Sequence, residues 1–329
     1  MAAPVESTRV AVAVRAQRES ITATGVASEV GVCSTRPSPQ SWTHEAGVDT
    51  LRLLFETRDF GDQRFEIPEA EGWSFGTIPA LGLTWAEGHP VVGSLASGPD
   101  VGTAAAVVRS LVDERFGVLK DRGVARSDQT VTTAFERPAE ARAFIAGMAA
   151  TVLPRTEVTR RGHPVHSISW THSTGKRILA RCYDKGLERG GEAFEAVRLE
   201  DQRRYPSGGR PEVEAVSDGD YLRGRFEARF GPVRKAVDGV KAATFPVIAQ
   251  TIADEFRYGY RDLRESERLA AALVLLTGGA GDAYKRSTFY SRRAELREAG
   301  FVVVDDLVEA VEVNLGDVVE AALAAEGWS

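Results

Sequence analysis

Cysteine is scarce: Cys33 and Cys182 are the two in a chain of 329 residues. They cannot build a disulfide framework, and no C-x-x-C pair is present, which excludes a disulfide-stapled small domain. Long apolar runs are missing too. No stretch of about 18 apolar residues occurs, so no spanning helix is expected. The opening MAAPVESTRVAVAVRAQRES has no basic head followed by an apolar block, which predicts a cytoplasmic protein. No phosphate-cradling glycine loop or nucleotide fingerprint follows a strand, which argues against a metabolic enzyme with a nucleotide pocket. Repeats and low-complexity tracts are also absent.

Positive charge is not in excess: 41 Lys/Arg face 47 Asp/Glu. That excludes a protein coated in positive charge, although nucleic-acid binding needs only a local basic patch. The charge is uneven. Residues 153–235 hold 17 Lys/Arg against 12 Asp/Glu, between two blocks in which acids prevail. The chain is long enough for two domains, and 43% hydrophobic with 27% charged is ordinary for a globular protein.

Residues 1–42, rich in Ser, Thr and Ala, read as a flexible arm. Strands are predicted at VDTLRLLFE (48–56), RFEI (64–67) and LGLTWAEG (81–88), and 89–102 reads as a glycine-rich loop. Helices are predicted over 103–117 and 138–153, with a strand at 124–135 between them. VHSISWTH (165–172) and KRILARCY (176–183) form a hairpin, AVRLEDQRR (196–204) a further strand, and 205–220 a linker. Helices follow at 245–260, 266–279 and 287–301, the last capped by Ser287 and ended by Gly300. The expected fold is α+β: an antiparallel sheet with flanking helices over 43–235, then a helical domain over 236–329. Its 266–301 unit has the form of a helix-turn-helix, winged in one variant.

Three strands each set a polar group among apolar ones: Asp128 in ARSDQTV, Tyr183 in ARCYDKGLE and Glu200 in AVRLEDQ. Adjacent antiparallel strands bring such side chains onto one face. Paired carboxylates there suit Mg²⁺ or Mn²⁺, and a tyrosine beside them suits a covalent phosphotyrosyl link. The plain alternative is a solvated strand face with a packing tyrosine. In AYKRSTFYSRRAEL, a packed helix with solvated arginines competes with a recognition helix. The 283–301 segment has five basic residues against two acidic, and charge alone leaves that choice open.

Four stretches together resemble the replication initiation factors of rolling-circle plasmids and phages. ILARCYDKGLE is similar to their I-R-I-Y-D/N-K-x-x-E strand, and AVRLEDQRR to the strand that follows it. GVARSDQTVTTAFE resembles their upstream G-x-x-R-x-D-x-x-x-D strand, and STFYSRRAELREAGF a C-terminal helix of related phage replication proteins. The resemblance implies an endonuclease and strand transferase that nicks one origin strand through Tyr183 and stays joined to its 5′ end. It implies a divalent metal, Mg or Mn, on Asp128, Glu200 and Glu188, with Lys185 and Arg198 on the scissile phosphate. It further implies single- and double-stranded origin DNA as partner, a helicase, a homodimer, and DNA contacts from Lys285, Arg286, Tyr290, Arg292 and Arg293. The family's second aspartate falls on Thr132, which a hydroxyl cannot replace as a charge. That departure supports a second reading: a non-catalytic DNA-binding regulator descended from such an initiator. His163 and His166, spaced H-P-V-H, fall on opposite faces of a strand and are expected at a surface or turn.

Overall fold

The computed structural model describes residues 42–59, 64–67, 70–91, 94–151, 153–172, 175–188, 190, 194–277, 286–304, 307 and 309–329. The side chains of residues 172, 175–179, 277, 286 and 289 lie outside that description, as does the arm expected at the N-terminus. Among the described residues no helix is long and apolar enough to cross a membrane.

The architecture is α+β, built on an eight-stranded antiparallel sheet. Its strands are β1 (Thr43–Thr57), β2 (Trp73–Ile78), β3 (Leu83–Gly88), β4 (Val118–Ala134), β5 (Thr156–Arg161), β6 (Ser167–His172), β7 (Gly175–Asp184) and β8 (Ala196–Arg204). They lie in the order β2-β3-β1-β4-β8-β7-β6-β5. Alternation assigns the faces. Leu51, Leu53, Val131, Leu199, Cys182 and Ile168 point to one side and join the main core. There they meet α1 (Gly98–Phe116), α2 (Pro138–Ala149) and, beyond a one-turn α4 (Val213–Val216), α5 (Gly219–Ala236). The opposite side carries polar residues, among them Arg126, Asp128, Glu200 and Arg204.

Local signals explain the boundaries. Helix α1 starts five residues before the expected 103 because Ser97 and Asp100 cap each other's backbone N–H, with Pro99 in the first turn. The loop read over 89–102 therefore ends early. RFEI forms only an isolated bridge, Phe65 to Phe75. Two strands of this sheet had no sequence signal. WSFGTI (β2) is interrupted by Gly76, and TEVTRR (β5) is an edge strand whose charges mask its alternation.

Beyond α5, β9 (Lys241–Thr244) leads into α6 (Phe245–Arg257), α7 (Leu263–Thr277), α8 (Arg286–Glu298), β10 (Phe301–Val304), β11 (Glu312–Asn314) and α9 (Leu315–Leu323). Ser287 lies inside α8 rather than capping it, while Gly300 ends it at φ +88. Helices α6, α7 and α8 close a small core of Ile248, Ile252, Leu269, Leu273, Leu296 and Phe301. The strands run β10-β9-β11, parallel then antiparallel. A wing needs β10 and β11 paired as a hairpin, and β9 separates them.

Residues 236–329 are not a body apart, since Ser41–Ser329 is one compact unit. Val313, Leu315, Val319 and Trp328 all enter the main core. Helix α2 joins the two regions. A side chain at Gly147 would meet Leu315 Cδ1 at 2.7 Å and Ala242 Cβ at 2.9 Å, so α2 lies close against β9 and α9.

Trp328 is fully buried, 5.4 Å from the Phe226 ring, and its carbonyl accepts the Gly98 N–H at 2.8 Å. A Trp328→Ala variant is expected to lose about 3–5 kcal/mol of stability, as large-to-small changes in a closed core do. A urea midpoint within error of the wild type would contradict this packing.

Candidate active site

The register of β4, β8 and β7 unites the predicted residues. Thr130 faces Glu200, Thr132 faces Arg198, and Arg198 faces Tyr183 across the next strand. Asp128 lies two pairs further along, opposite Gln202. Opposed residues on adjacent strands point the same way, so Asp128, Glu200, Arg198 and Tyr183 share the polar face.

Tyr183 is 7% exposed and donates its hydroxyl to Glu200 Oε2 at 2.8 Å. Burial and the neighbouring Glu200 charge raise its pKa well above an ordinary phenol's, while Arg198 opposes them. In this state Tyr183 is a neutral phenol aimed at a carboxylate. Glu200 is 4% exposed and also faces Arg181 Nη1 at 3.5 Å.

Arg198 is fully buried. Its Nε donates to Thr132 Oγ1 at 3.0 Å and its Nη1 to Asp49 Oδ1 at 2.6 Å. A guanidinium so enclosed stands beside Tyr183 on the next strand and does not reach a phosphate in solvent, contrary to the role the resemblance gave it. Asp49 has no counterpart in the sequence patterns. It sits where the β1–β4 register shifts, between Val48 and Thr50, and this bulge aims it across the sheet. Its own burial would raise its pKa, but Arg198 at hydrogen-bond distance, with Lys185 and His89, holds it below the usual value. A carboxylate from β1 thus supplies the charge missing at Thr132, directed at an arginine.

Asp128 is 2% exposed and gripped through both oxygens by Arg126, with Nε at 3.0 Å. Burial nonetheless dominates and pushes its pKa up to about 7. The folded state therefore binds a proton that the unfolded chain releases near pH 4, so this group's stabilisation is lost as pH rises from about 4 towards 7. Asp128→Asn is expected to flatten that decline in urea-midpoint profiles. An unchanged pH profile would contradict the burial of an ionisable carboxyl here.

Glu188 and Lys185 lie together on α3 (Lys185–Glu188), the turn that follows Tyr183, and form an ion pair. Glu188 is half exposed. Both oxygens of Asp128 are taken by Arg126, and Glu200 is engaged by Tyr183 and Arg181. Among the described residues no group of three His, Cys, Asp or Glu side chains is placed to hold a metal. The expected three-carboxylate set therefore does not fit a divalent ion in this arrangement.

Tyr183 opens onto a cleft of about 300 Å³, also lined by Arg161, His166, Ser167, Arg181 and Glu188. Four of these partners, Arg161, His166, Ser167 and Arg181, were not foreseen there. Arg181 is legible, two residues before Tyr183 on the same strand and hence on the same face. Arg161 and His166 reach the cleft from β5 and the turn after it, which only strand order places there. His163 lies in that turn and points elsewhere, into a cleft of about 500 Å³ with Arg142, Arg160, Tyr290 and Arg293.

Of the residues expected to contact DNA, Tyr290 and Arg293 are exposed on α8, while Arg292 is turned onto Glu295 at 2.7 Å. Lys285 and the Arg286 side chain lie outside the described residues.

No family model matches this chain, and no curated protein matches it. A solved structure of a rolling circle replication initiator protein from Geobacillus stearothermophilus aligns with it at 12% identity. The alignment covers 56% of this chain and 85% of that one, with a TM-score of 0.31, a likeness too slight to argue from.

Proposed function

We propose that the protein is a DNA-nicking replication initiator of the rolling-circle type. The observation that carries this reading is the Tyr183–Glu200 hydrogen bond, buried on the polar sheet face at the edge of a cleft bearing Arg161 and Arg181. A phosphodiester seated between those guanidiniums presents its phosphorus to Tyr183 Oη. As Oη attacks, its proton passes to Glu200 Oε2. The P–O3′ bond breaks, the 3′ oxygen leaves and takes a proton from solvent, and the 5′ phosphate stays on Tyr183. Arg181 and Arg161 stabilise the charge that builds on the phosphoryl oxygens. Arg198 is a positioning residue: it fixes Tyr183 and favours its oxygen as negative charge develops. No step here runs through a metal. Tyr290 and Arg293 on α8, the second helix of the α7–α8 pair, would hold the origin duplex.

The test is covalent capture. An unpaired oligonucleotide labelled at its 3′ end is incubated with the protein and resolved under denaturing conditions. A labelled band at the protein's mass supports the nicking reading. Thr132 and the deep burial of Tyr183 favour one other reading, a DNA-binding regulator without catalysis. Shifted but uncut DNA in the same assay would select it.

A further inference from the structure

Far from Tyr183, the polar sheet face carries a second concentration of positive charge. Arg52 on β1, Arg126 on β4, Arg204 on β8 and Arg210 beyond it line one cleft of about 310 Å³, with Glu87 as its acidic member. The register explains the cluster, since Arg52 faces Arg126 and Arg126 faces Arg204 across three adjacent strands. Like charges in one row repel, and the groups record it: burial first, then Arg126 and Arg204, lower the Arg52 pKa. Glu87 answers Arg52 at 3.4 Å and Arg126 at 2.9 Å, and Asp128 answers Arg126 again. Arg204 and Arg210 have no carboxylate partner among the described residues, and Arg210 Nε is buried without a hydrogen bond. A fold that leaves Arg204 and Arg210 in such a row without matching acids has a place for an anion.

The anion's character is set by the neighbouring cleft. Arg52 and Glu87 also line a larger one, about 580 Å³, shared with Arg64, Phe65, Ser74 and Trp85. The Arg52 guanidinium stacks over the Trp85 ring, 4.6 Å from its centroid. An aromatic ring with a guanidinium held beside it offers a cationic, apolar surface on which a base stacks. A phosphate cleft joined to a stacking platform matches a nucleotide of an unpaired strand. Duplex DNA keeps its bases stacked inside and has no base to offer there.

We propose that the Trp85–Arg52 platform and the Arg126–Arg204–Arg210 cleft bind unpaired DNA, one base on Trp85 and its phosphates on the arginines. The site rests on the reading of the protein as a DNA-nicking initiator and extends it. Arg204 lies six residues along β8 from Arg198, ~20 Å at strand rise, so one strand can run from this platform to Tyr183.

The test measures anisotropy of labelled oligothymidylate of about 20 nucleotides with the full chain. Trp85→Ala is expected to weaken binding roughly tenfold, and Trp85→Phe, which keeps a ring, to restore most of it. Arg204→Ala and Arg210→Ala should each make the dependence of log K on log salt shallower by about 0.7. Equal affinity of Trp85→Ala and wild type, with capture at Tyr183 intact, would overturn this site and leave the nicking reading standing. Normal loss of binding in Trp85→Ala without any covalent capture would support the site and sink the nicking reading. A duplex of the same length bound with the same dependence on Trp85, or oligouridylate bound far more tightly than oligothymidylate, would overturn the assignment to unpaired DNA.

Discussion

A Tyr183→Phe variant is expected to form no covalent adduct with a 5′ phosphate, a loss of at least about 10⁴-fold against wild type. The change removes one atom, Oη, and leaves the ring in the same buried site between β6 and β8. Tyr183 is hydrogen-bonded to a carboxylate beside an arginine-lined cleft, the arrangement the chemistry needs. Oligonucleotide binding should stay within about twofold, because the ring itself touches no proposed phosphate contact. Stability should fall modestly, about 1–3 kcal/mol, since Glu200 loses the donor it faces in a buried setting. The measurement is the 3′-label capture gel with a parallel anisotropy titration. Adduct formation retained in this variant would remove Tyr183 from the chemistry.

Replacement of Glu200 by glutamine should be the next most damaging change. An amide carbonyl still accepts the Tyr183 hydroxyl at the same place, so the ground-state geometry is kept. It cannot take the proton, and the capture rate should fall about 10²- to 10⁴-fold, the usual contribution of a positioned general base. A merely structural role for Glu200 would lower the rate at every pH alike. A base role predicts more: any decline of the wild-type rate towards acid pH should flatten in Glu200→Gln. Single-turnover rates across pH distinguish the two. A variant with wild-type rate and wild-type profile would assign the proton to another acceptor.

Both predictions depend on placements of unequal legibility. The Tyr183, Asp128 and Glu200 strands could be read from the chain because period-two alternation is a local property, and each strand carries its polar residue among apolar neighbours. Arg181 belongs to the same pattern. Asp49 does not: its role comes from a bulge that rotates one residue of β1 across the sheet, and no local spacing announces a bulge. The row of Arg52, Arg126 and Arg204 is equally invisible in sequence, because these residues lie up to 152 positions apart and meet only through register.

The sequence by itself determined the α+β class, most of the strands and helices, and the union of Asp128, Glu200 and Tyr183 on one sheet face. Those features follow from side-chain periodicity and capping, which act over a few residues. Tertiary structure alone decided what the polar groups do to one another. It turned the acids towards Arg126, Arg181, Lys185 and Tyr183 instead of assembling three carboxylates for a metal, supplied Asp49 where Thr132 lacks charge, and buried Arg198 beside Tyr183. It also set β9 between β10 and β11 and drew Trp328 into the main core. The physical reason is that charge pairing and desolvation depend on distances through space, which strand order and register set across hundreds of residues.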